Sequence, residues 1–325
     1  MKNQKVFARW VIVILISIIA VGLVGLICYV KQKKDDTSAN IETPVHFTDF
    51  NIKELGSTRL PYSWTTPVPL EPAEPHDEQG VILYTWKDGK NYYHPVQISS
   101  RILEFIASYL QTNDSEYIRQ AEVYAQALLD RANEINGALY FPYNYDFLLH
   151  GYEEDKMVAP WYSGMAQGKA LSAFIRLYKV TNQEKYLSVA DKILLSFTKL
   201  KDEGDPWVAY RDAAGYYWIE EYPMNEPDHT LNGFGFAIYG LYDYYIVKKD
   251  AVSKNLLQES LATIKEYLPQ FRNVGEKSSY CLKHRLQKGN YHYIHIRQVR
   301  TMYYITEDDF FKTMMDNLVA DYYEE

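Results

Sequence analysis

The chain has 325 residues, with 34 Lys+Arg against 42 Asp+Glu for a formal net charge of -8, and 47% hydrophobic residues. That balance excludes wholesale disorder and argues against a nucleic-acid partner, which would call for a basic excess. The 2 cysteines exclude a disulfide framework or a four-cysteine zinc site, whereas the 31 tyrosines fit aromatic-lined pockets as well as a core.

In chain order, residues 1–10 form a short tail and Val11 to Val30 is a run of 20 residues without a charge. At a helical rise of about 1.5 Å per residue it spans roughly 30 Å, one hydrocarbon core, so a transmembrane anchor is expected over 11–30. A cleaved signal peptide is the rival, but Ile27-Cys28-Tyr29 is a poor cleavage site. Lys2, Lys5 and Arg9 flank one side and Lys31, Lys33 and Lys34 the other. Charge alone therefore leaves orientation open; the short tail favours a cytoplasmic N-terminus and an extracytoplasmic main domain, in a cell envelope or Golgi lumen. Residues 31–80 read as a stalk, because Pro44, Pro61, Pro67, Pro69, Pro72 and Pro75 forbid long regular structure. Phe47, Phe50, Tyr62 and Trp64 are not linker residues and are expected to reach the domain.

The domain, 81–325, is rhythmic. Val81 to Trp86 and Asn91 to His94 predict a hairpin around Asp88-Gly89. Ile98, Ile102, Phe105, Ile106 and Tyr109 predict a helix over Val96 to Gln111, and Ala121, Tyr124, Leu128 and Ala132 predict another over Glu116 to Ile135. The pattern repeats: Thr112 matches Thr181 and Tyr117 matches Tyr186. Further pairs are expected over Thr230 to Lys249 with Val252 to Phe271, and Tyr291 to Ile305 with Asp308 to Tyr323. Four helical hairpins predict a mainly α protein, an α/α array closed or open, with short β-hairpins in the loops between pairs. Those loops, Asn136 to Pro160, Asp202 to Asp228 and Arg272 to Asn290, fall on one face, where a binding or catalytic site is expected.

Two segments carry candidate chemistry. Residues 277–306 contain no Asp or Glu but hold Lys277, Lys283, Arg285, Lys288, Arg297 and Arg300, with His284, His292 and His295, and Tyr280, Tyr291 and Tyr293 interleaved. Such a stretch suits an anion such as a carboxylate- or sulfate-bearing glycan. In Tyr216 to Tyr222, adjacent Glu220 and Glu221 alternate on an extended strand, so one is expected to face solvent and the other a pocket. A carboxylate among aromatic rings suits a general base. His292 and His295 have a spacing compatible with metal ligation, but no carboxylate lies nearby, so neither metal nor cofactor is expected.

These segments resemble the C-terminal catalytic domain of the D-glucuronyl C5-epimerase family. Tyr93-His94-Pro95-Val96-Gln97-Ile98 resembles its YxPVQI, and Pro160 to Gly168 its PWxSGxAQG. Glu220-Glu221-Tyr222-Pro223 with Leu231-Asn232-Gly233-Phe234 resembles EEYP…LNGF. Tyr280 to His284 resembles YDLRH, and Tyr291 to Ile296 resembles DYHxxHI. The resemblance implies an α/α toroid, here an incomplete barrel of about four hairpins, and a membrane topology with the N-terminus cytoplasmic. It matches Glu221, Tyr222, Tyr280 and Tyr291 to catalytic residues. It places Lys283, His284, Arg285, Asn232, His292, His295, Arg297, Trp161 and Gln167 at the substrate. It implies inversion of C5 of D-glucuronate in a heparosan-like polysaccharide, and it leaves room for a homodimer. Lys283 stands where the motif has arginine and cannot make its bidentate clamp. The alternatives are a polysaccharide lyase, a hydrolase using Glu220/Glu221 with Asp155 or Asp212, and a glycan-binding protein without catalysis.

The chemistry removes a proton α to a carboxylate and returns one to the other face, with cations expected to hold the carboxylate and lower the tyrosine pKa values. Glu221 with Tyr222 is expected on one face and Tyr280 with Tyr291 on the other.

Overall fold

Helix signals set the architecture. Pro95 at the first helical position, the His94 ring accepting from Gln97 N, and the apolar face Ile98, Ile102, Phe105 and Ile106 make α1, Pro95–Thr112. It ends at Asn113, whose φ of 57° is left-handed, and Asp114 at once caps α2, Ser115–Leu129. The same corner recurs. Asn182 (φ 57°) joins α3, Gly164–Thr181, to α4, Glu184–Thr198. Lys249 (φ 52°) joins α5, Leu231–Lys248, to α6, Ala251–Phe271. Glu307 (φ 52°) joins α7, Tyr291–Thr306, to α8, Asp309–Asp321. The repeated threonine has a mechanism. The hydroxyls of Thr112, Thr181 and Thr306 each donate back to a carbonyl four residues earlier and accept from the N–H two residues on.

The computed structural model describes residues 45–64 and 66–323. The expected anchor at 11–30 lies outside the described residues; among them no helix is long and apolar enough to cross a membrane. The described helices make four hairpins in which α1, α3, α5 and α7 pack side by side as an inner row. The inner helices are the most buried. In α5, Phe234, Ala237, Ile238, Leu241 and Tyr242 all lie within the core. The α3 and α5 backbones touch at glycines: a Cβ on Gly168 would meet Ala237 Cα at 2.3 Å, and one on Gly240 would meet Gly168 O at 2.3 Å. The glycines of the Pro160 to Gly168 motif are thus packing residues.

Four two-stranded antiparallel sheets decorate the opposite pole from the short corners. They are β1 (Tyr84–Thr85) with β2 (Asn91–Tyr92), β3 (Asn133–Ile135) with β4 (Ala138–Tyr140), β5 (Phe147–Leu148) with β6 (Lys156–Met157), and β7 (Ala209–Arg211) with β8 (Tyr217–Ile219). The helix expected to reach Ile135 stops at Leu129 instead. Asn136 (φ 52°) and Gly137 (φ 81°) supply a two-residue hairpin turn that recruits 133–135 into β3.

The stretch expected to be a stalk is, from residue 45, part of the same compact unit as the helices. Phe50, only 6% exposed, exchanges two backbone hydrogen bonds with the Gln258 amide on α6. Lys53 N then donates to Ile305 O on α7, and Leu55 N to the Tyr242 hydroxyl on α5. Arg176 on α3 donates to Pro61 O, and Val68 N donates to the Ser108 hydroxyl on α1. The segment is a strap that visits the C-terminal halves of the inner helices in reverse order. Its prolines are tolerated because the N–H donors that tie it down, those of Phe50, Lys53, Leu55 and Val68, all lie at non-proline positions.

Candidate active site

Three loops converge on the N-terminal ends of α3, α5 and α7. The end of β8 is pinned from both sides, since Glu220 N donates to Val208 O (2.8 Å) and Gly164 N to Glu220 O (2.8 Å). A Cβ on Gly164 would lie 2.5 Å from that same carbonyl, so the motif glycine admits the strand end against α3. The 272–290 loop zips onto the start of α5 through Leu231 N donating to Tyr280 O (3.1 Å) and Leu282 N to Asp228 O (3.2 Å). That zipper sets Tyr280 against Tyr222.

Glu221 is 8% exposed. Asn232 Nδ2 donates to its Oε2 at 3.1 Å, and it also hydrogen-bonds the Tyr222 side chain. Burial pushes its carboxyl up to about 7, with the Asp228 charge adding to the rise; the bonds from Tyr222 and Asn232 and the charge of Lys169 oppose it. The Tyr222 and Tyr280 hydroxyls are 3.1 Å apart, and the Tyr280 and Tyr291 rings meet edge to face at 4.6 Å with a side-chain hydrogen bond between them. Glu221, Tyr222, Tyr280 and Tyr291 therefore form one continuous chain. Burial drives all three phenols above the ordinary tyrosine value, and the Glu221 charge adds to the rise. The expected lowering by nearby cations does not occur: burial dominates, and the Glu221 charge adds to it. Trp161 stands against Tyr222 in an aromatic wall with Phe147 and Tyr143.

Other sequence expectations fall differently. Glu220 does not face solvent; it is 1% exposed, taking the His229 N–H at 3.1 Å and contacting His229 Nδ1 at 2.8 Å. The left-handed His229 (φ 54°) folds its own backbone and ring over that carboxylate, which a regular strand edge would have left exposed. Lys283 and His284 are bound to buried Asp155 at 2.6 and 2.5 Å. Lys283 balances that charge and His284 is engaged with it, so neither is free to clamp another carboxylate. Arg285 is exposed and donates to Gln270 O, and Arg297 is exposed on α7. His292 and His295 are buried pins: Ser278 lies between their Nδ1 atoms at 2.9 and 2.8 Å, and His292 Nε2 meets Leu318 O and Tyr322 O. Gln167 is buried and ties Phe141 N, Leu139 O and Ser196 together. It holds the β4 loop and does not line a pocket.

Two cations were not assigned to the site from sequence. Lys169, 8% exposed on α3, donates to Ser100 at 2.7 Å and lies 4.6 Å over the Phe236 ring; burial brings its ammonium down to about 8, against the pull of Glu104 and Glu221. A lysine amid Ala166, Ala170, Leu171 and Phe174 was its only sequence signal. Lys288 stands over the Tyr280 ring at 5.2 Å. Among the described residues, His150, Asp228 and Cys281 also place ligand-type atoms within 4.8 Å of one another. The Lys288 ammonium lies 2.5 Å from His150 Nδ1, which puts the ring proton on Nε2, the atom facing Cys281 and Asp228. The trio is thus built as a hydrogen-bond relay.

Among solved structures, the cellobiose 2-epimerase of Spirochaeta thermophila is similar with a TM-score of 0.54 at 12% identity, over 77% of this chain and 63% of that one. The Lin0763 protein of Listeria innocua is similar with a TM-score of 0.51 at 16% identity, over 70% and 60%. These likenesses are of fold, and they set the mainly helical chain in the α/α toroid class. A D-glucuronyl C5-epimerase of Caenorhabditis elegans is 29% identical over 188 residues, covering 51% of this chain and 30% of the relative. An uncharacterized protein of Methanocaldococcus jannaschii is 28% identical over 171 residues, covering 52% and 53%. The chain thus matches about half or less of the length of either relative. The profile described as D-glucuronyl C5-epimerase C-terminus matches residues 136–319, which include every motif segment except Tyr93 to Ile98 and every residue of the Glu221 to Tyr291 chain. With more than half of its length so matched, the chain belongs to the D-glucuronyl C5-epimerase C-terminal domain family.

Proposed function

We propose that this domain is a carbohydrate epimerase that inverts C5 of D-glucuronate residues in an anionic, heparosan-like polysaccharide. The carrying observation is the unbroken Glu221–Tyr222–Tyr280–Tyr291 chain, one carboxyl and three neutral phenols in a buried setting. Glu221, with its carboxyl near 7, is the base that removes the C5 proton. Tyr280 is the acid that returns a proton to the other face. Tyr280 then takes a proton from Tyr222, and Tyr222 takes one from the newly protonated Glu221. The circuit closes with every group restored, so no phenolate accumulates in a site that disfavours one.

The surroundings support epimerisation over hydrolysis, which needs two opposed carboxyl groups. Asp155 is held by Lys283 and His284, and Asp212 is bonded by Trp218 and Tyr267. The proposal extends to residues 11–30 as a single bilayer anchor with the domain extracytoplasmic.

The experiment is incubation in D2O with heparosan, N-sulfated heparosan and chondroitin backbones. Deuterium at C5, with iduronate formed, is expected; none on any glucuronate polymer overturns the reading. Chain shortening with an unsaturated, UV-absorbing product would select a lyase. Binding without exchange would select a glycan-binding module.

A further inference from the structure

The candidate pocket lacks its expected carboxylate clamp, since Lys283 and His284 are held by Asp155. Lys277 lies over the Tyr322 ring and Arg285 turns to Gln270 O. Lys288 differs from these. Among the described residues no carboxylate lies within ion-pair distance of it, yet its Nζ sits 5.2 Å from the Tyr280 ring centroid and 2.5 Å from His150 Nδ1.

An ammonium has three donors and no acceptor, so Lys288 donates to Nδ1 and two donors remain. The proton on His150 Nε2 faces Cys281 Sγ at 3.5 Å and Asp228 Oδ2 at 3.8 Å. Asp228 is fully buried, and Thr230 donates to it at 2.7 Å. A relay of donors thus runs from Lys288 through His150 and Cys281 to a buried carboxylate, fixing the ammonium beside Tyr280.

We propose that Lys288, positioned by His150, Cys281 and Asp228, is the group that takes the carboxylate of the substrate uronate. This rests on the C5-epimerase reading. The carboxylate is bonded to C5, so a cation beside Tyr280 brings C5 to the phenol chain. As C5 loses its proton, charge builds on that carboxylate and the contact strengthens.

The test compares wild type with Lys288→Met and Lys288→Arg. Calorimetry measures binding of a glucuronate oligosaccharide and of its carboxyl-reduced counterpart, beside C5 exchange and thermal unfolding. Wild type is expected to prefer the carboxylate form. Lys288→Met loses that preference by roughly 10- to 100-fold, the worth of one charge-assisted hydrogen bond, while still binding the reduced sugar. Lys288→Arg restores part of it. For the positioning role, His150→Gln lowers the preference without weakening the reduced sugar, which a general folding defect would not do. Wild-type exchange with an unchanged preference in Lys288→Met sinks this assignment and leaves the epimerase reading standing. A wild type that neither exchanges nor binds glucuronate sinks both.

Discussion

Gly233 offers the sharpest perturbation of the candidate base. It lies in the first turn of α5, and a Cβ there would sit 2.3 Å from Glu221 Oε2, 2.4 Å from its Cβ and 2.9 Å from its Cδ. Carbon contacts relax near 3.5–4.0 Å, so the carboxyl must retreat by roughly 1 Å. A displacement of that size is expected to slow C5 exchange by about 100-fold. Stability changes less. Alanine gains up to about 1 kcal/mol of helix propensity, against an overpacking penalty of about 1–3 kcal/mol. Gly240→Ala is the comparator, because its Cβ would meet Gly168 backbone at 2.3 Å and force α3 from α5. It should lose stability and activity together. The assay pairs deuterium uptake at C5 with thermal unfolding. A folded Gly233→Ala that exchanges at the wild-type rate refutes the placement of Glu221 at the chemistry.

Because burial raises the Glu221 carboxyl to about 7, the exchange rate should climb as pH rises through 7; a flat profile between pH 6 and 8 would remove Glu221 as base. The same shift acts on stability. The folded state holds this proton more tightly than the unfolded one, so the contribution is full below the ordinary glutamate value of 4.5 and is lost as pH rises to about 7. That amounts to about 3 kcal/mol, so Glu221→Gln should gain Tm over wild type at pH 8 but not at pH 4.5, and a pH-independent difference would contradict the burial argument. Lys169→Met removes a cation that favours ionised Glu221, so the rising limb should move to higher pH, which a pH–rate profile checks. Phe50→Ala should destabilise by about 3 kcal/mol and expose the strap to proteolysis; unchanged melting would show that the strap is not part of the fold.

The helix pairs were legible because each inner helix carries its own apolar period and each corner its own cap. Glu221 and Tyr222 were legible as a candidate because a carboxylate ends an aromatic strand there, whereas Asn232 came into view only through the family resemblance. What escaped depends on distant partners. Nothing local in Lys283 shows that Asp155, on another loop, will claim it. The burial of Glu220 depends on His229 folding back over it. The strap was legible only in part: Phe50, Tyr62 and Trp64 announced their contact with the domain, but proline-rich sequence looks the same whether it is solvated or laid along helices. The β3–β4 hairpin is announced by Asn136-Gly137, but the apolar period that continues to Ala132 imitates a longer helix and masks it.

The four left-handed corners have a consequence for engineering. Asn113 and Asn182 suit that conformation, but Lys249 and Glu307 hold it with side chains that disfavour it. Glycine at either place should raise Tm by lifting a strain of about 1 kcal/mol, even after Glu307 gives up its exposed pair with Lys53. These positions lie at the pole away from the β-hairpins and the Glu221 chain. Heat tolerance and turnover can therefore be tuned at opposite ends of one scaffold, each without trespassing on the other.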